Sequence, residues 1–156
     1  MVHEQANTHS LPLREGNSYN QYEDAVAGLV VSPTSARGAN DATSLFERLC
    51  NLMKEERPYT NSNLRREDLA QMLGSNFIYV ADAIRECTGG KTLSDFLDEY
   101  RVRHAAHLLA NTDDPVGLVT EMSGFASRSH FNTLFREKYK MTPSEYRKIA
   151  KERAEN

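Results

Sequence analysis

GFASRSHFNTLFREKYKMTPSEYR, residues 124–147, reads as a tight turn, a helix and the opening of another helix. Gly124 supplies the turn and Ser127 a cap; Phe131, Leu134 and Phe135 form an apolar stripe, and Thr142-Pro-Ser-Glu145 is a capping box. The same grammar occurs earlier in the chain. Between Leu69 and Phe96, Leu69-Ala70 precedes a turn at Gly74, a helix with apolar Val80, Ala83, Ile84 and Cys87, and a second threonine cap at Thr92. The offset is 50 at Leu69/Val119, Gly74/Gly124 and Thr92/Thr142 but 51 within the second helix, so the second copy carries one extra residue in its turn. A repeated unit of helix, tight turn and helix points to a pair of helix-turn-helix readers.

Working outward, Ser44-Leu-Phe-Glu47 is a capping-box pattern expected to begin the ordered region, with Leu45, Leu49, Leu52 and Met53 on one face. A second helix is expected after Arg65, carrying Leu69, Met72 and Leu73, with Ser75 or Asn76 capping the third. Thr92 opens the longest helix, with one buried stripe expected at Leu93, Phe96, Leu97, Tyr100, Ala105, Leu108 and Leu109. Asp114-Pro115 is expected to start a fifth helix by cap and first-turn proline. The expected fold is all-α: two helix-turn-helix subdomains, about 66–88 and 115–139, joined by a long linker helix, about 92–110, in roughly seven helices. Residues 1–43 lack a sustained period and read as a mobile N-terminal arm before a domain spanning 44–156; Ala25–Val31 is its one apolar piece.

Composition bounds the function. The chain has 156 residues, room for one compact domain or two very small ones, which excludes a large multi-domain enzyme. The Ala25–Val31 run falls well short of the roughly 18–20 residues of a membrane helix, and the amino terminus lacks a signal-peptide core. No membrane association is expected, and the location is expected to be cytoplasmic. Cys50 and Cys87 read as buried reduced thiols without metal-ligand spacing. Net charge is −3, yet it is unevenly spread: Gly124–Arg153 holds eight basic and three acidic residues, whereas Ser44–Ser123 holds nine and thirteen. A polyanion is therefore expected to be gripped chiefly by the second unit.

A recognition helix buries one stripe and presents the opposite one to base edges. In the second unit that stripe is Ser129, Asn132, Thr133 and Arg136, with Arg128 near the amino end; all are hydrogen-bonding side chains. Arg suits guanine and Asn suits adenine. Ser127, Lys138 and Lys140 are expected phosphate contacts. In the first unit the equivalent positions are Ile78, Ala81, Asp82 and Arg85, a poorer set, in which Asp82 suits cytosine and the apolar pair suits thymine methyls. A linker of about nineteen residues spans on the order of 28 Å, near the ~34 Å of one DNA turn once flanking turns are added.

Residues 44–149 closely resemble the DNA-binding domain of the AraC/XylS transcription regulators. Asp68-Leu-Ala70, Tyr100-Arg-Val-Arg-His-Ala105 with Leu108-Leu109, and above all the Gly124–Arg147 string carry the resemblance. It implies an all-helical pair of readers that binds double-stranded promoter DNA and usually activates transcription through RNA polymerase. By position it matches Arg128, Ser129, Asn132, Thr133 and Arg136 to the second recognition helix and Ile78, Ala81, Asp82 and Arg85 to the first. Lys140, Thr120, Arg65 and Asp82 depart from the residues that the family commonly places there, respectively glycine, alanine, a capping hydroxyl and a basic side chain.

Two other classes compete. His104 and His107, at i and i+3 near Asp98 and Glu99, have the spacing of a metal pair but lack a third ligand; as polar residues on the exposed side of the linker they need no metal. No cofactor, metal or enzymatic site is therefore expected, nor a small-molecule effector site. The stronger rival is a module that docks on RNA polymerase or a partner regulator without reading bases.

Overall fold

The structure is a computed structural model that describes residues 42–156. Those residues form seven α-helices and one short 3-10 turn: α1 Ala42–Glu55, the turn Pro58–Thr60, α2 Arg66–Met72, α3 Phe77–Thr88, α4 Leu93–Asn111, α5 Val116–Met122, α6 Arg128–Tyr139 and α7 Pro143–Glu155. No strand occurs among the described residues. Residues 1–41, including the apolar piece at 25–31, lie outside them.

The two units repeat in their backbone bonds as well as their sequence. After α2, Gly74 N–H donates to the Gln71 carbonyl (3.0 Å) and Ser75 N–H to Ala70 (2.9 Å); after α5, Gly124 donates to Glu121 (3.0 Å) and Phe125 to Thr120 (3.2 Å). Each is a Schellman closure, with its glycine at positive φ, 62° and 92°. Asn76 then caps α3 by accepting from the Ile78 and Tyr79 N–H groups at 3.0 and 3.1 Å. Ser127 caps α6 by accepting from His130 N–H at 3.2 Å. The cap follows its glycine by two residues in the first unit and by three in the second, so the extra residue lies in the turn. Phe125 occupies that longer turn and is buried in the second core.

Each recognition helix is followed by a left-handed residue and a threonine capping box. Gly89 ends α3 at φ 74° and Lys140 ends α6 at φ 60°. Thr92 and Asp95 cap each other's N–H groups at 3.1 and 3.2 Å, and Thr142 and Glu145 do the same at 3.2 and 2.7 Å.

The cores are separate. In the first, Leu45, Phe46, Leu49 and Met53 of α1 pack with Leu69, Val80, Ala83, Ile84, Phe96 and Tyr100. In the second, Val102, Ala105, Ala106 and Leu109 meet Val119 and a run of rings. Phe125, Phe131, Phe135 and Tyr139 stack in succession at centroid distances of 5.1, 5.5 and 4.7 Å, and Tyr146 of α7 closes on Phe135 edge-on at 5.4 Å.

This arrangement corrects several expectations. The buried face of α4 is not one stripe: Phe96, Leu97 and Tyr100 enter the first core and Val102, Ala105, Ala106 and Leu109 the second. At 3.6 residues per turn the two sets lie roughly half a turn apart. Within the described residues helix α1 already includes Ala42, so Ser44 lies inside the helix rather than capping it, and half-buried Ala42 extends the first core. Pro115, not Asp114, is the cap of α5: its extended backbone (φ −54°, ψ 145°) lies outside the helix while its carbonyl accepts the first helical bond from Val119. Arg65 precedes α2, and its side chain has no acceptor to offer. Asp68 makes the cap alone, accepting from Arg65 N–H at 3.1 Å and from its guanidinium at 3.0 Å.

Lys140 holds a left-handed conformation that costs an L side chain about 1–2 kcal/mol, and it is exposed. Lys140→Gly is expected to raise stability by about that amount, read from the midpoint of urea unfolding at unchanged slope.

Candidate nucleic-acid interface

Helix α6 is set by three local devices. The Ser127 cap fixes where it starts, the aromatic run of Phe131, Phe135 and Tyr139 fixes which face it buries, and Lys140 fixes where it stops. The remaining stripe is Ser129, Thr133 and Arg136, all exposed, with Asn132 half-buried beside them. Arg136 and Lys140 carry no ion pair among the described residues, so their charges face solvent. Arg128 is also exposed, but its guanidinium reaches back across α5 and lies where a side chain at Gly117 would stand. Lys138 is elsewhere. It sits roughly half a turn from the Ser129–Arg136 stripe, 6.0 Å over the Tyr139 ring. There it lines a cleft of about 320 Å³ with Asp95, Asp98, Glu99, Val102, Leu134 and Glu137. Partial desolvation in that cleft, with Arg103 adding repulsion, lowers its ammonium from the ordinary lysine value.

Not every basic residue of the second unit is available to a polyanion. Arg147 donates from Nε to the Leu109 carbonyl (3.3 Å) and from Nη2 to the Asp114 carbonyl, so it clamps the end of α4. Lys151 is bound to the Asp113 carboxylate. The arginine that ends the signature string is thus a structural clamp.

On α3, Ile78 and Arg85 are exposed, while Ala81 and Asp82 are half-buried. Arg85 donates to the Asp82 carboxylate one turn away, so the charged groups of this face are paired with each other. Tyr79, unremarked in the sequence, is 49% exposed next to Ile78.

A junction holds the two units together. Asp98 of α4 accepts from Arg101 Nη1 at 3.3 Å and meets His130 Nε2 of α6 at 2.8 Å. Arg101 in turn donates from Nε to the Tyr59 carbonyl (2.8 Å) and from Nη2 to the Asn61 carbonyl (3.2 Å), backbone groups of the first unit. On the same ground Gly124 approaches so closely that a Cβ there would collide with the Tyr59 and Thr60 backbone. His104 is buried with its ring edge-on to Tyr59 at 5.8 Å. It is therefore not on an exposed side, whereas His107 is exposed against Asn111. Among the described residues no group of three or more ligating side chains is placed to hold a metal.

Two similar units, each a Schellman turn between a short scaffold helix and a capped, outward-striped helix, agree with the comparison to known families. A family model described as a helix-turn-helix domain matches residues 69–149. The chain belongs to the AraC-type helix-turn-helix family. It is 31% identical over 110 residues to YijO, an uncharacterised HTH-type transcriptional regulator of Escherichia coli K12, covering 70% of this chain and 38% of that protein. It is 40% identical over 58 residues to the HTH-type transcriptional activator RhaS of Escherichia fergusonii, covering 37% of this chain and 21% of that one. The chain thus spans about two-fifths of the first relative and one-fifth of the second. Among solved structures, the C-terminal domain of the response regulator yesN from Fusobacterium nucleatum aligns with a TM-score of 0.55 at 28% identity, covering 65% of this chain and 95% of that one. These AraC-type relatives are transcription regulators, not enzymes. No described helix is long and apolar enough to cross a membrane.

Two predictions follow from the junction. Gly74→Ala adds only left-handed strain, about 1–2 kcal/mol, since Arg48 Nη2 stands at 3.9 Å from the new Cβ. Gly124→Ala adds overpacking of about 1–3 kcal/mol to similar strain, so its urea midpoint falls further. Burial, with Arg57 and His107 adding repulsion, holds the His104 ring at a pKa of about 4 against 6.5 for the free group. The unfolded chain therefore binds the extra proton first. The neutral ring's contribution to stability is complete above about pH 6.5 and is lost as pH falls through about 4. Stability measured across that window falls with acid by at most about 1.4 kcal/mol per pH unit from this group, and His104→Phe flattens the slope.

Proposed function

We propose that this chain is a sequence-specific reader of double-stranded promoter DNA and that α6 is its principal reading element. The observation that carries this is the stripe Ser129, Asn132, Thr133 and Arg136, presented on a helix whose opposite side is locked into an aromatic core. Bidentate contact from Arg136 to guanine and from Asn132 to adenine suits those side chains, with Ser129 and Thr133 as adaptable partners. Ser127 and Lys140 flank the helix at its two ends, in position for phosphates on either side of a groove. Arg128 contributes on turning away from Gly117, and Lys138 from the far edge of α6. On the first unit Ile78, Ala81, Asp82 and Arg85 form the second, weaker reading face. We further propose that the DNA-bound chain activates transcription in contact with RNA polymerase, as the word activator in the name of RhaS suggests, and that it works in the cytoplasm. The reading calls on no cofactor and no effector.

Asn132→Ala and Arg136→Ala are each expected to weaken binding to a site selected from a random DNA pool by about 1–3 kcal/mol and to relax preference at one base position. Affinity falls with salt at about −0.9 per phosphate neutralised. Unchanged affinity and preference in both variants would remove α6 as the reader, and a flat salt dependence would favour protein docking.

A further inference from the structure

We propose that α3 reads the 5-methyl groups of thymine, so that the two units read different chemistries: hydrogen-bonding edges at α6 and apolar methyls at α3. The inference rests on the DNA-reading assignment of the preceding subsection and adds the base class addressed by the first unit.

The repeat fixes the correspondence. Ile78, Ala81, Asp82 and Arg85 occupy on α3 the positions that Ser129, Asn132, Thr133 and Arg136 occupy on α6, each 51 residues earlier. Both helices are capped at the same point by a polar side chain, Asn76 or Ser127, and both stop at a left-handed residue. What α3 presents is different. Ile78 is 56% exposed and Tyr79 49% exposed, whereas the polar stripe of α6 exposes no large apolar side chain. The two charged residues of the α3 face are engaged with each other, since Arg85 donates to Asp82 one turn earlier. An arginine held by a carboxylate on its own helix must give up that bond before it can fork onto guanine. The side chains left to meet base edges are then a β-branched alkyl group, a methyl and an aromatic ring.

The major groove offers one apolar group among the four standard bases, the thymine methyl, which Ala and other apolar side chains recognise by contact. A neutral, partly apolar α3 face gains nothing from phosphate, in keeping with the acidic balance of Ser44–Ser123. The positive second unit supplies attraction to the backbone, and α3 adds discrimination at the adjoining block.

The test uses the full chain and its selected site. Selection from a random pool is expected to give a block read by α6 and a second block enriched in thymine, the one methylated base in a synthetic pool. Each thymine of that second block is then replaced by 2′-deoxyuridine, which keeps the pairing and removes only the methyl. Affinity is expected to fall about fourfold for each contacted methyl, the worth of one buried methyl-sized group. Ile78→Ala, an exposed position that leaves both cores untouched, is expected to abolish the thymine–deoxyuridine difference at one position while the effect of Arg136→Ala persists. Full binding with no difference between thymine and deoxyuridine anywhere in that block would overturn this inference and leave α6 as reader. Absence of sequence-specific DNA binding altogether would overturn the parent reading, and this one with it.

Discussion

One nineteen-residue helix, α4, has to fill two cores from opposite sides, and the rest of the molecule is arranged around that demand. Its first half delivers Phe96, Leu97 and Tyr100 to the helices before it, and its second half delivers Val102, Ala105, Ala106 and Leu109 to those after it. Both cores draw on α4, and the seven-residue scaffold helices are too short to hold their form without such packing. A helix with apolar residues on opposed faces also leaves polar groups near the middle, and here Asp98, Arg103 and His104 are all buried. Burial of Asp98 is tolerable because it is bonded to Arg101 and His130, and the Arg103 guanidinium lies 3.9 Å from the Glu99 carboxylate.

The same residues give the pair of readers a defined relation. Arg101 ties α4 to backbone carbonyls of the first unit, and Asp98 passes that anchorage to His130 on α6. His130 is 52% exposed and Asp98 12% exposed, so the bond runs from the buried junction to the rim of the reading helix. Gly124, whose φ serves the turn, is also the point where the second turn meets the first unit. One small residue thus meets a local need and a distant one at once, and arginine clamps at Arg101 and Arg147 fasten the middle and the carboxyl end of the linker.

The two reading helices are equal in construction and unequal in surface. Caps, turns and stops recur at matching positions, so the backbone offers two outward stripes. Side chains then divide them: solvent-facing Arg136 on one, an Asp82–Arg85 pair with exposed Ile78 and Tyr79 on the other. Local charge follows the same division, except that Arg147 and Lys151 are spent inside the second unit and add less to its outward field than their number suggests.

Sequence by itself determined what is decided within a few residues. Glycine turns, Asn76, Ser127, Thr92 and Thr142 caps, and the i, i+3, i+4 spacing of Phe131, Leu134 and Phe135 act through neighbouring backbone groups, so the helices and the outward stripe of α6 were legible. Ser44 and Asp114 are the two expected caps beside which distant packing acts: Ala42, ahead of Ser44, joins a core, and Arg147 holds the Asp114 carbonyl across 33 residues. Tertiary structure alone decided the split face of α4, the burial of His104, the turning of Lys138 into the cleft and the junction through Asp98. The junction joins residues 32 and 42 positions apart, in His130–Asp98 and Arg101–Tyr59. No local periodicity encodes such a pairing, because it depends on where two separately formed cores come to rest against one shared helix.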